Sequence, residues 1–334
     1  MAPSDRQLAL ALVAFAPFLA ELVSGSTPPQ AWILPPVFLT FMAIYGLSAL
    51  AARELAIRFG GGAATVLILG LAFGIVNEGM AAHSLFNPAW PGVDVLSSYG
   101  RWEGVSWLWA AWIVPFHAVW SISFPVFLVG QVWPEHRDRR WLTDRQLLAV
   151  IPIPIAAAVL TSLVFSGYPL SIVQWLGMFL AVLLLGWIAL RWGRSLNRLR
   201  PFGAWRPSPR LAFTVGLLFF VIGQIGTWQT PSLGPYPEVG LGLLVAAYLL
   251  FAAVALGLDR SPAGDRARFA LVLGGIAFYV GLSPIAEFVL GRIGLVAIDL
   301  VVLGLLVRLY RERTRAADIT VAPAHVAMGA ADAP

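Results

Sequence analysis

Apolar residues run along this chain in long stretches, near 7–24, 31–52, 63–86, 105–131, 146–166, 170–191, 211–229, 239–257, 268–283 and 285–308. Most approach the roughly 20 residues that a helix needs to cross the hydrocarbon of a bilayer. Helices satisfy their own backbone in lipid and open strands do not, so the pattern predicts an all-α, polytopic transmembrane helical bundle of about ten spans. Residues 1–315 read as one integral-membrane domain. The Ala-rich, polar stretch 316–334 lacks helical periodicity and is expected to be a disordered cytoplasmic tail.

The polar punctuation gives the bundle a direction. The connections after even-numbered spans and the two tails hold every arginine except Arg101 and Arg292, with Arg137, Arg139, Arg140 and Arg145 in one connection and Arg191, Arg194, Arg198, Arg200, Arg206 and Arg210 in another. Basic residues stay on the cytoplasmic side, so both termini are expected there, in a multi-pass protein of the inner (plasma) membrane. The first span ends in Ser24, Gly25 and Ser26, as a cleaved leader does. Only Arg6, beside Asp5, precedes it, which favours a retained span.

Composition then removes several chemistries. All 22 Lys-plus-Arg positions are Arg and cysteine is absent. A Schiff-base or phosphate-loop lysine is therefore excluded, as are disulfides, cysteine-ligated clusters and thiol catalysis. The net charge of +5 sits in short loops between spans, a topology signal instead of a nucleic-acid surface. No cofactor is implied, and the expected partners are membrane lipids with a small-molecule, proton or apolar substrate.

Internal duplication is one reading of two echoes. Glu21 precedes a Thr27-Pro28 turn as Gln224 precedes Thr230-Pro231, and Gly70, Ala72 and Phe73 match Gly275, Ala277 and Phe278. A parallel repeat of spans one to four in spans seven to ten would produce both, and so would chance resemblance between apolar helices.

Ionisable side chains inside spans mark candidate chemistry, because each costs roughly 2.5–3.5 kcal/mol at a helix centre unless it finds a partner. Gly70, Gly74 and Glu78 recur every fourth residue, so a close-packing face carries Glu78 toward a neighbouring helix about 12 Å from the outer boundary. It reads as a proton-binding or general-base carboxylate, with a helix–helix hydrogen bond as the alternative. His117, about 18 Å along the next span, has Ser121 one turn later on its face. Pro115 and Pro125 bracket the pair and free backbone carbonyls.

Glu21 joins the same outer cavity or reaches the headgroups. Asn87 and Trp109, in and after the long connection 87–104, are candidate substrate contacts of a lid over that cavity. His83 reads as an interface anchor and Glu287 as the cap of the last span. Asp299 has Arg292 seven residues earlier on its face as a distant partner. Arg53, Glu54 and Arg58 read as a solvated helix end. His83, His117, Glu21 and Glu78 would bind a metal only if separate helices converged, and none is expected.

Asn77-Glu78-Gly79 with Phe86, then Leu108-Trp109 through His117 to Ser121, resembles parts of the CAAX-protease and bacteriocin-processing intramembrane family over about residues 70–125. The resemblance implies a glutamate-dependent membrane peptidase with Glu78 and His117 as catalytic residues. This chain departs from that pattern at Asn77, where a second glutamate is usual, and at Ser121, where Asn or Asp is usual; it also lacks the following arginine. Three functions stay open: a transporter or permease using Glu78, His117, Glu21 and Ser121 as its binding site, an intramembrane hydrolase, and a non-catalytic scaffold or accessory subunit.

Overall fold

The computed structural model describes residues 3–199, 205–258 and 262–328. Arg200 and Arg260 of the arginine pattern, and 329–334 of the tail, lie outside them. Among the described residues nine helices are long and apolar enough to span a bilayer. They are α1 Asp5–Val23, α2 Pro35–Phe59, α3 Gly62–Ala81, α4 Trp107–Val132, α5 Asp144–Phe165, α6 Ile172–Leu196, α7 Pro209–Leu233, α8 Pro237–Ala255 and α9 Gly264–Leu290. A further helix, α10, covers Leu295–Met328 and carries Asp299 and Arg308 within its apolar part.

The α10 helix also traverses the bundle. At its start the Ile293 carbonyl accepts from Gln30 (3.3 Å), beyond the end of α1, whereas Arg313 donates to the Val132 carbonyl (2.8 Å) at the far end of α4. Those two levels are separated by roughly 27 Å of helix, close to a bilayer core. Asp5 approaches His136 (3.9 Å) and Arg58 binds Asp144 (3.0 Å) at the level of Arg313. The first turn of α1 and the Arg313 region therefore share the arginine-rich end.

One boundary differs from the sequence reading. Pro284 was expected to separate the last two spans, yet it lies inside the helix that forms α9. That helix ends instead near Gly291 and Gly294, whose φ of 69° and 90° suits residues without a Cβ.

Glycine faces set the packing. A Cβ on Gly70 would lie 2.7 Å from Ala118 Cα, and one on Gly74 2.8 Å from the Val114 carbonyl, so α3 and α4 touch backbone to backbone. Gly46 brings α2 equally close to Val13 of α1; Gly216 and Gly274 lock α7 to α9. The close glycine contacts thus join α1 to α2 and α3 to α4 in the first half and α7 to α9 in the second. Aromatic side chains fill the space between α4, α7 and α9, where Trp120 and Tyr279 lie 4.4 Å apart between ring centres amid Phe116, Phe124 and Phe220. The outward faces of α5 and α6, with Leu163, Phe165, Ile172 and Leu183 exposed, offer the bilayer an apolar surface.

Six crossing helices each contain one π-helical turn: Phe18–Val23, Met42–Gly46, Ile75–Ala81, His117–Ser123, Ser162–Ser166 and Val221–Gly226. All lie in the half of the bundle away from the arginine-rich end or near its middle. Such turns are rare and cluster at functional sites, because the wider ring loosens the backbone ladder and re-aims side chains.

Candidate functional site

The π-helical turns of α1 to α4 face one another and deliver their polar residues to a single network. His117 Nε2 lies 2.8 Å from Glu78 Oε1, and His117 Nδ1 lies 2.8 Å from Ser121 Oγ. Asn77, the residue before Glu78, directs Nδ2 to Glu78 Oε1 (3.0 Å) and to the Tyr45 hydroxyl (3.0 Å). Tyr45 donates in turn to Glu21 Oε1, and Thr27 donates to Glu21 Oε2 (2.7 Å). On the other flank Ser84 donates to Glu78 Oε2, and the Trp109 indole donates to Ser84 Oγ (3.0 Å). An unbroken chain of hydrogen bonds therefore joins α1, α2, α3 and α4.

The centre of the network is buried, with Glu78 8% and His117 4% exposed and Ser121 and Ser84 fully buried, while Glu21 and Thr27 at its other end are half-buried. The rings of Tyr45, Phe73 and Phe116 pack around the imidazole, the last two nearly perpendicular to it. The Gly70/Gly74 face brings the two helices close enough for the Glu78–His117 bond, as the four-residue spacing implied. With His117 neutral, Nε2–H donates to Glu78 and Nδ1 accepts from Ser121; as imidazolium both nitrogens donate. Either way Asn77, Tyr45, Thr27 and Ser84 direct their hydrogens so that both carboxylates only accept.

Of the sequence candidates, Glu21, Glu78, His117, Ser121 and Trp109 meet in this network. Asn87 does not. Its Oδ1 accepts from Ala89 N (2.9 Å) and shapes the Pro88 turn. The connection that holds it is a tied cap: Arg101 donates to the carbonyls of Ser97 (2.6 Å) and Phe86 (2.9 Å), beneath a short antiparallel pair, β1 Arg101–Trp102 and β2 Val105–Ser106. Sequence reasoning missed Tyr45, Asn77, Thr27 and Ser84. The available signals were Tyr45 in mid-span and Asn77 next to Glu78.

Three other expectations change. His83 is buried, left-handed at φ 62°, and clips α3 to the α5–α6 hairpin through Ser162 Oγ and the Tyr168 carbonyl, both 2.8 Å. Glu287 sits in the last turn of α9 and accepts from Val296 N (2.8 Å), so it caps the next helix from the preceding one. Arg292 donates to the Ser26 carbonyl (3.3 Å) instead of reaching Asp299.

The solvated reading of Arg53, Glu54 and Arg58 also fails. Glu54 is fully buried; it pairs with Arg53 and Arg58 and accepts from the amides of Trp141 (3.0 Å) and Leu142 (3.3 Å). Arg53 donates to the carbonyls of His136 (3.0 Å), Arg137 (3.1 Å) and Arg139 (2.8 Å) and lies over the Trp141 ring. The α4–α5 connection folds over this end of α2. Nearby, the Asp265 carboxylate hydrogen-bonded to Arg137 raises that guanidinium above its ordinary pKa. No group of three or more His, Cys, Asp or Glu among the described residues is placed to hold a metal ion.

A family model described as an uncharacterized membrane protein family matches residues 10–330. That match carries no CAAX-protease resemblance. No curated protein and no solved structure matches the chain.

Proposed function

The chain belongs to this uncharacterized membrane protein family, and we propose that it is a proton-linked carrier of a small or lipid-like solute, with the Glu78–His117 pair as its protonatable centre. The observation that supports this reading is the hydrogen-bonded chain from Thr27 through Glu21, Tyr45, Asn77 and Glu78 to His117 and Ser121, which ties four spans together. Because both carboxylates only accept, a proton added to either one introduces a donor where a donor already points. A proton on Glu78 Oε2 forces Ser84 to turn its hydroxyl away, and the Glu78 carbonyl 3.4 Å from Ser84 Oγ offers the alternative acceptor. A proton on Glu21 Oε1 reverses Tyr45 in the same way, at the contact between α1 and α2. Protonation and helix contacts are thereby linked, which is what alternating access requires.

The hydrolase reading draws less support, because the family match carries no protease resemblance. Glu78 Oε1 receives both His117 and Asn77, and Oε2 receives Ser84, which leaves about one of its roughly four acceptor directions for a water. Proteoliposomes with an internal pH dye, challenged with a panel of small and lipid-like solutes, test the carrier reading. A solute that drives internal acidification in the native protein should do nothing in Glu78→Gln. Uptake that continues unchanged and independent of pH in that variant would sink it, and unfolding of the variant would assign Glu78 to helix packing.

We place the arginine-rich end in the cytoplasm and the bundle in the plasma membrane. Reporters fused after Arg140, Arg206 and Arg266 should be cytoplasmic, and those near Asp94 and Pro235 extracytoplasmic. A single loop reporting the wrong side would reverse the depth assigned to the network.

A further inference from the structure

A second carboxylate lies apart from this network. Asp299 of α10 is fully buried, and neither of its oxygens has a hydrogen-bond partner. The Ser283 side chain of α9 faces it, itself 1% exposed, but the single hydroxyl hydrogen of Ser283 goes to the Val280 carbonyl (2.8 Å). That carbonyl is available because Pro284, four residues on, has no amide to give it. With its hydrogen on Val280, Ser283 turns lone pairs toward Asp299. An ionised Asp299 gains a donor only by drawing that hydrogen away from Val280; a protonated one donates to Ser283 Oγ and completes a chain from Asp299 through Ser283 to Val280.

Charged groups on the neighbouring elements are engaged elsewhere. Glu21, on the π-helical turn of α1 that packs against α10, is bonded to Tyr45 and Thr27. On α9, Glu287 caps Val296 and the Tyr279 ring stacks near Trp120. Arg292, in the turn between the helices, donates to Ser26. A buried carboxylate in lipid without cation or donor neutralises itself by holding a proton.

We propose that Asp299 is a second proton-binding site, held as the neutral acid by donation to Ser283 and independent of the Glu78–His117 pair. The assignment goes beyond the carrier reading and stands without it.

Infrared spectra of the full-length protein in phosphatidylcholine nanodiscs test it. At neutral pH the native protein should show a protonated-carboxyl carbonyl band that Asp299→Asn lacks and Glu78→Gln keeps. In Ser283→Ala the band should move to higher frequency, because the acid loses its acceptor. Identical native and Asp299→Asn spectra would overturn the proposal, as would loss of the band in Glu78→Gln or its bleaching by sodium chloride at fixed pH, which would reassign the site to a metal cation. If Asp299→Asn does not fold, dicyclohexylcarbodiimide, which adds to protonated carboxyls, should tag the native peptide bearing Asp299. An untagged peptide overturns the assignment.

Discussion

Glu54 and Glu78 are both buried glutamates with well-satisfied oxygens, yet their surroundings differ in kind. Glu54 is met by two arginines and two backbone amides, groups whose charge does not change at physiological pH. Glu78 is met by an imidazole, an amide and a hydroxyl, none of which carries a fixed charge. Burial and hydrogen bonding alone therefore do not carry the proposal made for Glu78; it rests on partners that can change donor direction, which those of Glu54 cannot.

The largest effect should come from the Glu54 latch. Glu54→Gln leaves Arg53 buried against Trp141 without its counter-charge and should destabilise the protein by about 3–5 kcal/mol. Thermal unfolding in detergent measures it, and a loss below about 1 kcal/mol would mean that Glu54 is not a structural anchor. Gly74→Ala comes next. Its methyl would press on the Val114 carbonyl and push α3 from α4, for about 1–3 kcal/mol of overpacking. It should weaken the Glu78–His117 bond and leave the Glu54 latch intact, so protease cutting after Arg140 should stay at the native rate. Faster cutting there would show that the two regions are coupled.

The smallest stability effect is expected at Glu78 itself. Glu78→Gln keeps the side-chain shape, and Ser84 and His117 both find complementary partners on an amide, so unfolding should shift by no more than about 1 kcal/mol. Solute-driven proton movement should nonetheless vanish. A destabilisation as large as that of Glu54→Gln would erase the contrast between the two glutamates.

Local pattern made much of this legible. Span positions follow from hydropathy, and glycines at four-residue spacing put Glu78 on a packing face; that His117 meets it there is a feature of the fold. The rest depended on contacts distant in sequence. Arg53 and Glu54 looked solvated because nothing nearby announces that Trp141 and Leu142, some 90 residues on, fold over them. Pro284 looked like a helix end because its missing amide is visible in sequence, whereas the Ser283 hydroxyl that re-satisfies Val280 depends on a rotamer. Tyr45 is a polar residue in a largely apolar span and Ser84 stands beside His83, and only three-dimensional convergence gives them meaning.

The π-helical turns also bear on how such a protein changes over generations. A π turn holds one residue more than the α turn it replaces, so each is in effect a one-residue insertion within an otherwise regular helix. Deleting one residue there restores the tighter ladder and keeps the span long enough for the bilayer, while the helix beyond keeps nearly its old rotation and only the residues of the turn are re-aimed. In α3 that turn is Ile75–Ala81, which carries Asn77 and Glu78. Descendants that lose the turn should thus be recognisable by length as well as by composition: spans one residue shorter, still inserted, with the acid re-aimed relative to its partners.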